Sequence, residues 1–182
     1  MILDVKKLDI KDVLLIKTDI FNDYRGSFVE TYTDEIKNIL GFNYEWVQEN
    51  ESISKKNVFR GFHFQKGKFS QSKLLRVSNG SIKDIMIDLR KDSQTFKKHI
   101  SIDISSRNLL LFIPKGIAHG FLTLSNNSIV NYKCDNFYNP NYESGVNLFS
   151  DDLNVDLNIK KEDIIISDKD RDLPFLKSSY IF

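Results

Sequence analysis

Apolar residues recur at every second position along much of this chain, and that period restricts it to strands. Ile100, Ile102 and Ile104 alternate with Ser101 and Asp103, and Ile85, Ile87 and Leu89 alternate with Met86 and Asp88. Successive side chains of a strand point to opposite faces, so this spacing lines one face. Leu109 to Ile113 is a continuous apolar run, the pattern of a strand buried on both faces. Leu74 to Val77 and Ser128 to Lys133 also read as strands. Turn signals separate these segments: Ser78-Asn79-Gly80-Ser81, Ser105-Ser106-Arg107-Asn108 and Ser125-Asn126-Asn127. Short strands at this spacing predict a sandwich or barrel. One short helix is expected from Asp34 to Leu40, with Thr33 able to cap its start and Gly41 to end it. A second helical turn fits Ser167-Asp168-Lys169-Asp170. Alternating strand–helix units and a Gly-rich phosphate loop are both missing, which disfavours a dinucleotide-binding fold.

At 182 residues the chain reads as one domain, 1–182, with 41% hydrophobic residues to fill a core. The 26 basic and 25 acidic residues leave a net charge of +1, so no electrostatic footprint for nucleic acid or a membrane surface appears. Cys134 is the only cysteine, which precludes an internal disulfide and fits a reducing compartment. The start, Met1 to Lys7, is too short and too charged for a signal peptide, and no apolar run reaches membrane-spanning length. The expected location is cytoplasmic.

Two of the 3 histidines sit in short apolar runs, Arg60-Gly61-Phe62-His63-Phe64-Gln65 and Pro114 to Phe121. A histidine among aromatic residues on a strand suggests an enclosed proton-transfer site, because its side chain exchanges protons near neutral pH. It equally fits a core histidine satisfied by a hydrogen bond. On a regular strand His63 and Gln65 would share a face with Gly61, while Phe62 and Phe64 take the other. His119 would share a side with Phe121. A metal centre is disfavoured, because there is no His-x-His pair and His99 stands in a Lys-rich stretch. Lys73 opens the strand Leu74-Leu75-Arg76-Val77, as a functional cation or as an edge residue snorkelling to water. Tyr132 shares a face with Val130 and Cys134 and points inward, as an acid or as a plain core ring. Arg25, Arg60 and Arg76 are three of the six arginines; each suits either a phosphate contact or a surface ion pair.

Together the motifs resemble one family. They run Phe21-Asn22-Asp23-Tyr24-Arg25-Gly26-Ser27-Phe28-Val29-Glu30, Gln48 to Ser52, Val58 to Gln65, Lys73-Leu74, Asp88 to Phe96, Ile113 to Phe121, Tyr132-Lys133, Tyr138 and Ser167 to Asp170. This order and spacing is similar to the dTDP-4-dehydrorhamnose 3,5-epimerase family, cupins that epimerise nucleotide-linked 4-keto sugars. The resemblance implies an all-β jelly-roll barrel with a few short helices. It also implies a homodimer that exchanges N-terminal strands, a nucleotide-diphospho-sugar substrate, and neither metal nor cofactor. By match of motif, His63 is the expected base, Asp170 its orienting carboxylate, Lys73 the cation at the sugar C4 oxygen and Tyr132 the acid on the opposite face. Arg25, Arg60 and His119 are expected along the sugar and diphosphate. Phe21, Phe28, Glu30, Gln48, Asn50 and Tyr138 are expected along the nucleotide. The chain departs from the family's usual residues at Phe62, Phe137, Phe149 and Asp156-Leu157. The implied reaction inverts C3 and C5 of a dTDP-linked 4-keto-6-deoxy sugar. Relatives also work on GDP-linked 4-keto heptoses of capsule and lipopolysaccharide pathways. Alternatives are an epimerase of C3 or C5 alone, or a sugar-nucleotide-binding cupin without activity.

Overall fold

The computed structural model describes residues 1–41 and 44–182. Its strands are β1 (Ile2–Lys7), β2 (Leu14–Thr18), β3 (Ile20–Asp23), β4 (Gly26–Val29), β5 (Gln48–Ser54), β6 (Phe59–Gln65) and β7 (Lys73–Asn79). They continue with β8 (Ile82–Asp88), β9 (His99–Ile104), β10 (Leu109–Ile113), β11 (Ile117–Thr123), β12 (Ser128–Cys134) and β13 (Glu143–Gly145). Helix α1 spans Asp34–Ile39 and α2 spans Asp168–Arg171.

Two antiparallel sheets face each other. One has the order β1-β2-β10-β7-β12-β5 and the other β13-β6-β11-β8-β9, while β3 and β4 form a separate hairpin. The architecture is all-β, as the alternation predicts. Between the sheets lies an apolar core that includes Leu75, Val77, Ile82, Met86, Leu111, Phe121 and Val130. Each fully buried side chain of this size contributes about 1.5–3 kcal/mol through removal from water. The reverse faces are covered as well. Leu74, Leu110 and Phe112 pack under α1 through Ile36 and Leu40. Phe62, Phe64, Ile85, Ile87 and Leu122 pack against the C-terminal segment through Val146, Leu153, Leu157 and Leu176. This explains the unbroken apolar run of β10: Leu111 faces the inner core and Leu110 the outer one.

The helix expectations hold to within a residue. The Thr33 side chain accepts the Ile36 amide and caps α1, and Gly41 follows in a left-handed conformation (φ 74°). Ser167 caps α2 by accepting the Asp170 amide. That single turn matters because it delivers the Asp170 side chain to Gly61 and His63 in the middle of β6.

The regular-strand reading of β6 needs correction. In its ladder with β11, His119 stands opposite His63 but Phe121 stands opposite Arg60, so three residues of β6 span two of β11. The extra residue is Gly61, with φ 129°, a conformation that favours glycine. A Cβ there would also lie 2.8 Å from the His119 carbonyl oxygen. The bulge turns Arg60 to the His63 face in place of Gly61, so arginine and histidine enter one cleft.

Candidate active site

One end of the space between the sheets is left open as a cleft of about 590 Å³. The cause lies in β5 at the sheet edge. Its inward-facing positions are Gln48, Asn50, Ser52 and Ser54, too polar and small to close the core. The cleft therefore has one polar wall on β5, with β7 and β12 beside it, and a second wall on β6 and β11.

His63 projects from β6 into the cleft. Its Nε2 lies 2.9 Å from Asp170 Oδ1, and Asp170 Oδ2 accepts the Gly61 amide at 3.2 Å. The carboxylate is buried while the imidazole keeps about a third of its surface open, 7% and 31% exposed. Burial pushes Asp170 up, but the bond and charge of His63, with the Gly61 amide and Ser167, outweigh it and hold the carboxyl below its usual range. Asp170 is thus an anion when His63 gains a proton. With Nε2 engaged, Nδ1 is the ring nitrogen left to act.

Lys73 opens β7, which lies between β10 and β12, so it is no edge residue; it points into the cleft. Its Nζ lies 3.5 Å from the His63 carbonyl oxygen and 5.7 Å from the centre of the Tyr132 ring. Burial pushes the ammonium down, and Cys134, Asp84 and Glu143 push it back. Tyr132 comes from β12 on the opposite sheet to His63. Burial raises its phenol, so the hydroxyl keeps its proton. A flat substrate in the cleft would meet an imidazole on one side and a phenol on the other.

The other expected ligands divide into two sets. Arg60, His119, Gln48, Asn50 and Tyr138 all line the same cleft. Arg60 Nε donates to Ser54 Oγ at 3.0 Å, Gln48 Nε2 donates to Asn50 Oδ1 at 2.9 Å, and Gln48 Oε1 accepts the Tyr138 amide at 3.2 Å. Phe21, Arg25 and Phe28 are elsewhere. They line a surface hollow on the exposed β3–β4 hairpin, where Arg25 is paired with Asp23 at 2.6 Å. Glu30 follows the hairpin and holds the N-terminal amine at 2.8 Å. The single chain does not bring these four residues to its own cleft. Of the positions that depart from the family's usual residues, Phe62 is buried behind the site, Phe137 is exposed, and Phe149 stacks under Lys161 Nζ at 4.1 Å. None of them lines the cleft.

Three charged residues escaped the sequence reading. Glu143 accepts the Tyr138 hydroxyl and Lys169 Nζ, both at 2.7 Å, at the rim of the cleft. Asp84 lies behind His119, whose Nε2 it meets at 2.8 Å. Burial raises Asp84, opposed by His119 and Lys73. A signal for Asp84 existed: it is a charged residue on the inward, apolar face of β8. Glu143 opens the three-residue β13 and Lys169 lies in the single turn of α2, elements too short for a period to single out a residue. Among the described residues no group of three or more His, Cys, Asp or Glu side chains converges as a metal site. No described helix is long and apolar enough to cross a membrane.

Known proteins resemble nearly the whole chain. The family model described as dTDP-4-dehydrorhamnose 3,5-epimerase matches residues 7–178. A dTDP-4-dehydrorhamnose 3,5-epimerase of Methanothermobacter thermautotrophicus is 40% identical over 178 residues, 97% of this chain and 96% of that protein. The crystal structure of a dTDP-4-dehydrorhamnose 3,5-epimerase from Elizabethkingia anophelis superposes with a TM-score of 0.90 at 39% identity, covering 97% of this chain and 98% of that one. A dTDP-6-deoxy-D-glucose-3,5-epimerase of Legionella pneumophila, solved in complex with dTDP-4-keto-L-rhamnose, superposes at 0.90 with 31% identity, over 96% of this chain and 93% of that one.

Proposed function

The chain belongs to the dTDP-4-dehydrorhamnose 3,5-epimerase family, and from that premise we propose how its cleft performs the reaction. It is a carbohydrate epimerase acting on a dTDP-linked 4-keto sugar. A ketone at C4 acidifies the hydrogens at C3 and C5. His63 removes one of them through Nδ1, while the Asp170 carboxylate on Nε2 stabilises the imidazolium that forms. The electron pair moves onto the C4 oxygen, and the Lys73 ammonium stabilises that enolate; such pre-placed charge is usually the largest catalytic term. Tyr132 returns a proton from the other face, so the carbon inverts. His63 then gives its proton to water and Tyr132 regains one from water, and the same cycle at the second carbon completes the reaction. In this cleft the charge that such an abstraction needs at the C4 oxygen comes from Lys73.

The observation that carries this reading is the opposition of His63 and Tyr132 on facing sheets with Lys73 between them. The diphosphate lies along Arg60 and His119, and the nucleotide along Gln48, Asn50 and Tyr138. A second subunit supplies the rest. Phe21 and Phe28 are 45% and 64% exposed, and with Arg25 they have no counterpart in their own cleft. We place Phe21, Phe28 and Glu30 along the nucleotide, and Arg25 along the sugar and diphosphate, in the cleft of a partner subunit in a homodimer. In the single chain β1 pairs with β2, and the β3–β4 hairpin that follows them is the segment that carries Phe21, Arg25 and Phe28 across in a homodimer that exchanges N-terminal strands.

NMR of a dTDP-linked 4-keto-6-deoxy sugar in heavy water tests the reading. Deuterium should enter at both C3 and C5 with the parent and at neither with His63→Asn, general-base loss costing about 10²–10⁴-fold. Incorporation at one carbon would make the enzyme a mono-epimerase. Parent-level exchange in the variant would remove His63 from the mechanism.

A further inference from the structure

Asp84 is wholly buried on the inward face of β8, between Ile82 and Met86. Its Oδ2 lies 2.8 Å from His119 Nε2, while Oδ1 has no hydrogen-bond partner among the described residues. The strand registers build the arrangement. β11 pairs with β8 on one side and with β6 on the other, where His119 stands opposite His63. Two carboxylate–imidazole pairs thus occupy neighbouring strands, His63 with Asp170 and His119 with Asp84.

Packing alone does not explain the second pair. Burying a carboxylate with one oxygen unpaired is costly, and an apolar residue like the flanking Ile82 and Met86 would fill the position without that cost. The field of Asp84 reaches Lys73 across the cleft. Lys73 also faces Cys134 and the Tyr132 ring from β12, the His63 carbonyl from β6 and Glu143 from β13. Of these, Asp84 is the carboxylate wholly buried with no Lys or Arg bonded to it among the described residues, whereas Glu143 lies at the rim and already takes Lys169 and the Tyr138 hydroxyl on Oε2.

We propose that Asp84 is a positioning residue for the enolate site: through Oδ2 it fixes the His119 ring with Nδ1 toward the cleft, and its negative charge holds Lys73 in the ammonium form that the C4 oxygen requires. The proposal rests on the reading of Lys73 as the group at C4. Burial pushes Lys73 down, and Asp84 is one of the charges that oppose this. Removing that charge brings the loss of the Lys73 proton to lower pH.

Asp84→Asn tests this when kcat, KM, the pH profile of kcat, the thermal midpoint and binding of TDP are measured together. The expected kcat is roughly 10- to 100-fold lower, as for the loss of one charge-stabilising group. KM and TDP affinity should stay within threefold, because the loss falls on the transition state. The alkaline limb of kcat should move to lower pH. The thermal midpoint should hold or rise, since a neutral isostere replaces an unpaired buried carboxylate. Parent-like kcat with an unmoved limb would overturn the proposal. So would a lower kcat that merely follows a lower thermal midpoint with the limb in place. His119→Gln gives a second reading that does not depend on folding of the first variant. It keeps the Asp84 carboxylate and leaves an amide donor for its Oδ2, so the limb should fall less than in Asp84→Asn, and a fall as large would overturn the proposal. Absence of exchange with the parent protein would instead overturn the catalytic reading, which keeps the two failures distinct.

Discussion

Asp170→Asn probes the base with the least disturbance of shape. The carboxylate serves two partners, His63 Nε2 at 2.9 Å and the Gly61 amide at 3.2 Å. An amide has one acceptor oxygen and one donor group, so it can accept from only one of them. If the oxygen serves Gly61, the amide NH₂ donates to His63 Nε2. The ring proton then moves to Nδ1, and the nitrogen facing the cleft loses the lone pair that makes it a base. If the amide turns round, the buried Gly61 N–H is left unsatisfied, at about 1–3 kcal/mol. Charge is lost in either case. Two unit charges about 4 Å apart interact by about 4 kcal/mol at an effective dielectric near 20 and about 1 kcal/mol in water. His63 is 31% exposed and Asp170 7%, so the pair lies between those limits. A loss of about 2–3 kcal/mol of transition-state stabilisation is roughly 30- to 150-fold in rate. The wrong tautomer adds to it, and the total expected is on the order of 10²–10⁴-fold in kcat. The assay is deuterium wash-in at C3 and C5 followed by NMR, beside a urea melt to confirm a folded protein. A variant within threefold of the parent kcat at pH 7–8 would refute the role of Asp170 as the charged partner of His63.

Tyr132→Phe keeps the ring on β12 and removes the proton. Deuterium wash-in should persist while inverted product falls sharply; unchanged exchange together with unchanged product would leave Tyr132 as a packing ring. Mixed subunits test the second-copy assignment: His63→Asn and Arg25→Ala proteins, each inactive alone, should regain about a quarter of parent activity after co-refolding if Arg25 serves the cleft of the partner subunit, and no recovery would confine each site to one chain. The buried Asp88 accepts Arg90 at 2.8 Å, Ser93 at 2.7 Å and Thr95 at 2.6 Å. Burial pushes its carboxyl up, but these bonds outweigh it and hold the folded value below the unfolded one. Its contribution to stability is therefore full above the unfolded carboxylate value near 3.9 and is lost as pH falls through the lower folded value. Urea melts from pH 5 to pH 2 should show Asp88→Asn about 3–5 kcal/mol less stable at pH 5. The variant should also show a flatter fall below pH 4, and a slope equal to the parent's would contradict the linkage.

What the chain by itself determined was local. Alternation in β8 and β9, the doubly apolar β10 and the cap residues Thr33 and Ser167 specify elements, because side-chain direction and end-group hydrogen bonds follow from neighbours a few residues apart. The motif run from Phe21 to Asp170 also carried the family and most of the cleft. Tertiary structure decided whatever depended on register. Arg60 joins His63 only because Gly61 bulges against Gly120, a contact between segments some sixty residues apart in the chain. Asp84 meets His119 only because β11 is laid beside β8 in one register, and a slip of one residue would turn either side chain to the other face. The hairpin carrying Phe21, Arg25 and Phe28 reads in sequence as part of the site, yet the folded chain holds it away from its own cleft. No spacing rule encodes that separation, because the path of the chain through two sheets sets it.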